Sequence, residues 1–151
     1  MRFLKTNELE ESWKNLIYPP RQLGDSCLDL TVKRIFIFKN QGVLDFGGSE
    51  YHPIELQPLS PIIEDDPKYG WFTLSTGMYI VEYNENLSRI ECLAIVYPHQ
   101  RLLNTGCFHP SFIVNPSKSS QSIQSLLSVN YKGVRIKENA RISKALTFRL
   151  D

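Results

Sequence analysis

The sequence predicts an all-β domain, a barrel or sandwich preceded by one short helix. Three observations predict it. From Leu28 onward the chain is a succession of short runs rich in Val, Ile, Phe and Tyr, divided by Gly, Asn, Pro and Asp. A helical pattern is confined to the first twenty residues. No internal repeat, low-complexity tract or linker divides the 151 residues, so one domain spanning 1–151 is expected, long enough to bury a sizeable core.

Asn7 to Leu16 reads as the helix. Asn7 is placed to cap it, Glu8, Glu10 and Glu11 favour its positive N-terminal end, and Pro19-Pro20 stops the chain. Leu9, Trp13 and Leu16 share one face at helical spacing, so that face packs on the body. In DLTVKRIFIF, Ile35 and Ile37 alternate with Phe36 and Phe38, the period of a strand. Asn40-Gln41-Gly42 and Gly47-Gly48 interrupt the pattern on either side of VLDF. Residues 53–70 hold Pro53, Pro58, Pro61 and Pro67 around the acidic run Glu64-Asp65-Asp66, and they read as a surface excursion because repeated proline cannot donate to a central ladder. WFTL, MYIVEY, IECLAIVY, SFIV, IQSLLSVN, GVRI and ALTFRL then follow as strands, giving a helical segment over 1–20 and a β-barrel over 26–150.

Composition narrows the function classes. No run has the apolar length to span a bilayer, and MRFLKTNELEESWKN lacks the apolar stretch and cleavage site of a signal peptide, so a cytoplasmic protein without a membrane or nucleic-acid partner is expected. Cys27, Cys92 and Cys107 form no C-x-x-C pair, and His52, His99 and His109 are scattered, so no metal site is expected; Cys107 and His109 read as packed neighbours on an alternating strand. Net charge is +1, unevenly spread: residues 1–91 hold nine Lys/Arg against fourteen Asp/Glu, residues 92–151 eight against two. Such asymmetry fits a polyanion site in the C-terminal part, an acidic face meeting a basic face of another subunit, or a solvated surface.

Five segments, in order, resemble the motifs of the dUTPase/dCTP deaminase superfamily, most closely its archaeal branch. Ser26-Cys27-Leu28-Asp29-Leu30 is similar to the family's Ser-x-Asp-Leu entry into a strand. Leu74-Ser75-Thr76-Gly77-Met78-Tyr79 resembles Leu-x-Pro-Gly-x-Tyr. Val96-Tyr97-Pro98 with Leu102-Leu103 and Gly106 is similar to Pro-Arg-Ser-Ser-Leu-x-x-x-Gly. Asn115-Pro116 stands where relatives have Asp-Pro-Gly-Tyr, and Ala140-Arg141-Ile142-Ser143-Lys144 resembles Ala-Arg-Ile-Ala-Gln. The resemblance implies a distorted β-barrel or jelly roll of the dUTPase type, assembled as a homotrimer with nucleotide sites between subunits. It implies structural motif roles for Asp29, Gly77, Pro98, Gly106 and Arg141. Asp29 also suits a capping or turn role, and Arg141 a brace in the trimer.

The departures bear on chemistry. His99, Gln100 and Arg101 replace the arginine and serines that meet the phosphates in relatives, and in an extended segment a shift of one residue reverses the face on which Arg101 lies. Asn115 replaces the carboxylate that activates water, and an amide offers no basic site of useful pKa. Ser117-Lys118 replaces the turn glycine and the stacking ring, within a run to Ser122 that reads as a hairpin tip. Leu127 stands nearest the position of the deaminase glutamate, and Lys144 replaces the base-reading glutamine. Phe148-Arg149-Leu150-Asp151 stands where related dUTPases continue into a glycine-rich arm. His99 reads as a surface or interface histidine, since no carboxylate is near in sequence to orient it. The expectation is therefore no catalytic residue, and a non-catalytic scaffold or regulator with a remnant nucleotide site of His99, Gln100, Arg101, Asn115 and Lys144. Its ligand would be a nucleoside triphosphate or another polyanion, with Mg²⁺ only if the nucleotide is retained. The alternatives are a divergent dUTP diphosphatase or dCTP deaminase using Asp25, Glu82 or Glu85, and a polyanion-binding module of the basic C-terminal part.

Overall fold

The structure, a computed structural model, describes residues 1–116 and 122–151, so the expected Ser117–Ser122 tip falls, apart from Ser122, outside the described residues. In chain order the elements are β1 (Arg2–Phe3), α1 (Thr6–Ser12), β2 (Trp13–Lys14), α2 (Pro19–Gln22), β3 (Cys27–Phe38), β4 (Leu56–Pro58), β5 (Trp71–Leu74), β6 (Gly77–Tyr83), β7 (Asn86–Leu87), β8 (Cys92–Pro98), α3 (Gln100–Asn104), β9 (Phe112–Val114), β10 (Gln124–Val129), β11 (Val134–Lys137) and β12 (Arg141–Arg149).

Among the described residues the main sheet runs β10-β6-β3-β12-β8-β9, antiparallel throughout, with β1 added to β12 and β4 to β3. β3 is long enough to pair with β12 through its first half and with β6 through its second. Leu28, Asp29, Leu30, Thr31 and Val32 are buried one after another, as a central strand covered on both faces requires. Leu4 and Leu9 of the N-terminal segment are buried in the same core as Leu30, Val81 and Val96. β5 and β11 form a separate two-stranded sheet, and β2 and β7 another.

Three expectations about helices are corrected. α1 begins at Thr6 rather than being capped by Asn7, because Glu8 reaches back to accept the Lys5 backbone N–H at 2.9 Å. It ends at Ser12, since Trp13 pairs with Leu87 as a strand; Leu9 and Trp13 are buried as their spacing predicts, but Leu16 lies beyond the helix. Pro19-Pro20 starts a helical turn instead of only stopping one, consistent with proline's fitness for the first helical position. A third helical turn, α3, occupies Gln100–Asn104, where an extended segment is expected.

The strands lie where the sequence places them, with ALTFRL lengthened upstream to Arg141. VLDF is reduced to one bridge, Val43 to His52. In the proline-rich excursion, Leu56–Pro58 pairs along an edge of β3, a position that tolerates Pro58. Gly77 and Gly106 have φ of +143° and +77°, which explains glycine at both motif positions; a Cβ on Gly106 would also meet Asn130 Nδ2 at 2.6 Å.

Candidate functional site

Residues of the first, third and last motif segments meet at Asp29. This carboxylate is not a cap or a turn residue, as the sequence alone allowed, but a buried member of β3. Lys144 is its direct cross-strand partner on β12, and their side chains meet at 3.0 Å. Strict alternation would put Arg141, three residues away, on the opposite face from Lys144. A register shift between Arg141 and Ser143 inserts the extra residue that restores it, and Arg141 Nη1 donates to Asp29 Oδ2 at 3.0 Å and to the Arg21 carbonyl at 3.2 Å. Arg141 is thus engaged within its own chain.

His99 completes the cluster. Pro98 ends β8 opposite Ser143, which sets His99 beside β12, and the His99 backbone N–H donates to the Ile142 carbonyl at 2.9 Å. Its Nδ1 accepts the Arg101 backbone N–H at 3.0 Å, capping α3, so the neutral ring carries its proton on Nε2, 3.4 Å from Asp29 Oδ2. A carboxylate does orient His99; it is near in space and distant in sequence. Burial lowers the His99 pKa, and nearby Lys144, Arg141 and Arg101 work in the same direction against the attraction of Asp29. Burial would lower the Lys144 pKa as well, but its hydrogen bond and charge attraction with Asp29 outweigh this and leave it raised.

The other remnant-site residues lie apart. Gln100 donates to Asn104 Oδ1 at 3.0 Å along α3. Arg101, carried by a helix rather than a strand, lines a cleft of about 360 Å³ together with Trp71, Thr105, Arg135, Lys137 and Arg141. Asn115 lies in another groove, between β9 and β10, with Phe112, Ile113 and Gln124. Within one chain, then, the structure gathers His99 and Lys144 around Asp29 but not Gln100, Arg101 or Asn115.

Sequence reasoning missed how the remaining carboxylates are used. Glu82 is buried and held in bidentate fashion by Arg34, 3.0 Å at each oxygen, with Lys33 at 3.9 Å. Glu85 is fully buried, accepting from the Thr31 backbone and hydroxyl and from Gln22 Nε2; burial pushes its pKa up against those hydrogen bonds. His109 and Cys107 are both buried. His109 Nδ1 faces the Pro110 carbonyl at 2.9 Å, so Nε2 accepts from Ser143 at 2.7 Å, and Ser143 accepts from Tyr83 at 2.6 Å. Leu127 is buried in the core. Partners 34 to 63 residues away leave no local signal in a sequence.

No protein-family model matches the chain. The probable deoxyuridine 5'-triphosphate nucleotidohydrolase of Methanosarcina mazei is 28% identical over 159 aligned positions, covering 100% of this chain and 90% of its own length. That of Methanosarcina acetivorans is 29% identical with the same coverage. Among solved structures, the 2'-deoxycytidine 5'-triphosphate deaminase of Agrobacterium tumefaciens superposes with a TM-score of 0.67 at 14% identity, over 97% of this chain. These similarities support a relationship to the dUTPase/dCTP deaminase superfamily. The sheet of this chain is the distorted barrel of the dUTPase type. This chain spans 46% of the Agrobacterium deaminase, so that likeness concerns fold alone. No helix among the described residues is long and apolar enough to cross a membrane.

Proposed function

We propose that this protein is a non-catalytic member of the superfamily, a homotrimeric scaffold or a regulator that binds a nucleotide or a protein partner. The observation that carries the reading is the engagement of its buried carboxylates. Asp29 is met by Lys144, Arg141 and His99, Glu82 by Arg34, and Glu85 by Thr31 and Gln22. A general base must bind and deprotonate a water, and each of these three is buried with most of its lone pairs engaged by donors of its own chain, which leaves little room for that water. The position of the family carboxylate is held by Asn115. Mg²⁺ fits this site poorly, since Asp29 already faces two cationic side chains and Mg²⁺ requires oxygen ligands; the phosphates of a bound nucleotide would have to hold it.

The test is turnover with Mg²⁺. Purified protein is expected neither to release pyrophosphate from dUTP nor to deaminate dCTP above a no-protein control, and Asn115→Asp alone is expected to restore neither. Light scattering after size exclusion should return about three chain masses, in keeping with closed cyclic assembly. A second reading, a divergent dUTP diphosphatase or dCTP deaminase, draws on end-to-end similarity to relatives named as probable dUTP nucleotidohydrolases. Turnover that disappears in Glu82→Gln or in Asp25→Asn would establish that second reading in place of the first.

A further inference from the structure

The cleft beside α3 gathers cations beyond the Asp29 cluster, from which Arg141 also lines it. Arg135 and Lys137, two residues apart on β11, share one face of the β5–β11 sheet, both over Trp71. The Arg135 guanidinium carbon is 4.5 Å from a Trp71 ring centroid and the Lys137 ammonium 5.5 Å, so the ring supports both charges. Arg101 enters the same cleft from α3, and its guanidinium makes no ion pair among the described residues. The volume, about 360 Å³, falls within the range of small-ligand pockets.

Two of these cations are already answered by the chain's own acids. Glu64 pairs with Arg135, and Asp66 with Lys137 at 3.0 Å. Both acids come from the acidic run of the proline-rich excursion, which is fastened beside the cleft where Ile62 and Trp71 exchange backbone hydrogen bonds of 2.9 and 2.8 Å. Glu64 is 45% exposed and Asp66 34%, so these are solvent-screened pairs that an added anion can displace.

We propose that this cleft is an oligophosphate-binding site in which Glu64 and Asp66 occupy the anion positions when no ligand is bound. Arg135 and Lys137 come from β11 and Arg101 from α3, so a chain of phosphates, with more oxygens than a single phosphate, can engage all three at once. The guanidinium forks of Arg101 and Arg135 match phosphate oxygens in geometry as well as charge. Arg135 and Lys137 lie over Trp71, so the phosphate chain and not a stacked base is the recognised element. The inference goes beyond the non-catalytic reading and does not depend on it, since Arg101, Arg135 and Lys137 lie outside the Asp29 cluster and Arg141, which also lines the cleft, is already paired with Asp29.

Titration calorimetry with sodium tripolyphosphate at low ionic strength tests it. Binding is expected, and it should weaken as salt shortens the screening length. Arg101→Ala and Lys137→Ala should each weaken it about tenfold, the loss of one charge-assisted contact. The double variant Glu64→Gln/Asp66→Asn should tighten it several-fold, an effect that damage to the fold would not produce. Orthophosphate should bind more weakly than tripolyphosphate, and dUTP and ATP about equally well with it if the phosphate chain is what is read. Absence of heat with tripolyphosphate would overturn the proposal. So would binding that survives Arg101→Ala and Lys137→Ala but is lost in Lys144→Ala, because the anion would then sit at Asp29. Neither outcome would restore turnover, so both leave the non-catalytic reading standing.

Discussion

Asp29 shows how a motif residue can be kept while its surroundings change. Its carboxylate is buried and faces one ammonium and one guanidinium, each at 3.0 Å. Removing a partner is therefore not equivalent to removing the centre. Lys144→Met leaves Arg141 in place and deletes a partner that is a third exposed, so it should cost about 1 kcal/mol. Asp29→Asn leaves two cations facing a neutral amide and should cost about 3 kcal/mol. Urea unfolding of the two variants checks the ordering; equal losses would mean that the cluster is not held together by charge. Asp29, His99, Arg141 and Lys144 were each legible as motif positions. Their mutual neutralisation was not, because it depends on the register that sets Lys144 opposite Asp29 and on the bulge that turns Arg141 to the same face.

At the scale of elements, strands were legible and short helices were not. A strand of β8's kind declares itself through alternation, with Cys92, Ala94 and Val96 buried and the residues between them less so. α3 has five residues, too few for a period of 3.6 to be read, and its cap is a histidine side chain rather than a serine or aspartate. Reading that segment as extended placed Arg101 by strand alternation, whereas the helical turn delivers it to the cleft beside β11. Glycine gave a dependable signal of connection geometry. Gly106 follows α3 with φ of +77° and packs against Asn130, whose Nδ2 also donates to the Thr105 carbonyl at 2.8 Å. Gly106→Ala must accept both a left-handed backbone and a close contact, so about 2 kcal/mol of stability should be lost. Gly77→Ala has open space around the added methyl and pays only the backbone term, about 1 kcal/mol. Chemical denaturation of both variants should return that order.

For the whole molecule, opposed protonation equilibria set how stability follows pH. His99 and His109 are both pushed below the ordinary value of 6.5 by burial. Just below pH 6.5 the unfolded chain takes up protons that these folded rings refuse, so stability falls as pH falls through that window. Glu85 acts in the other direction. Burial raises its pKa above the ordinary 4.5, so above that pH the folded state retains a proton that the unfolded chain has released, and acidification adds stability. The two histidines predict a decline as pH falls below about 6.5, and Glu85 opposes it as pH falls toward 4.5. His109→Gln keeps an amide able to reach Ser143 while removing one titration, and should flatten the decline. Glu85→Gln removes the moderating group and should steepen it. Scanning calorimetry at a series of pH values distinguishes these slopes. A wild-type Tm that rises on acidification to pH 5.5, unchanged by either substitution, would mean that the Tyr83–Ser143–His109 chain and the Glu85 network do not set the acid sensitivity of the fold.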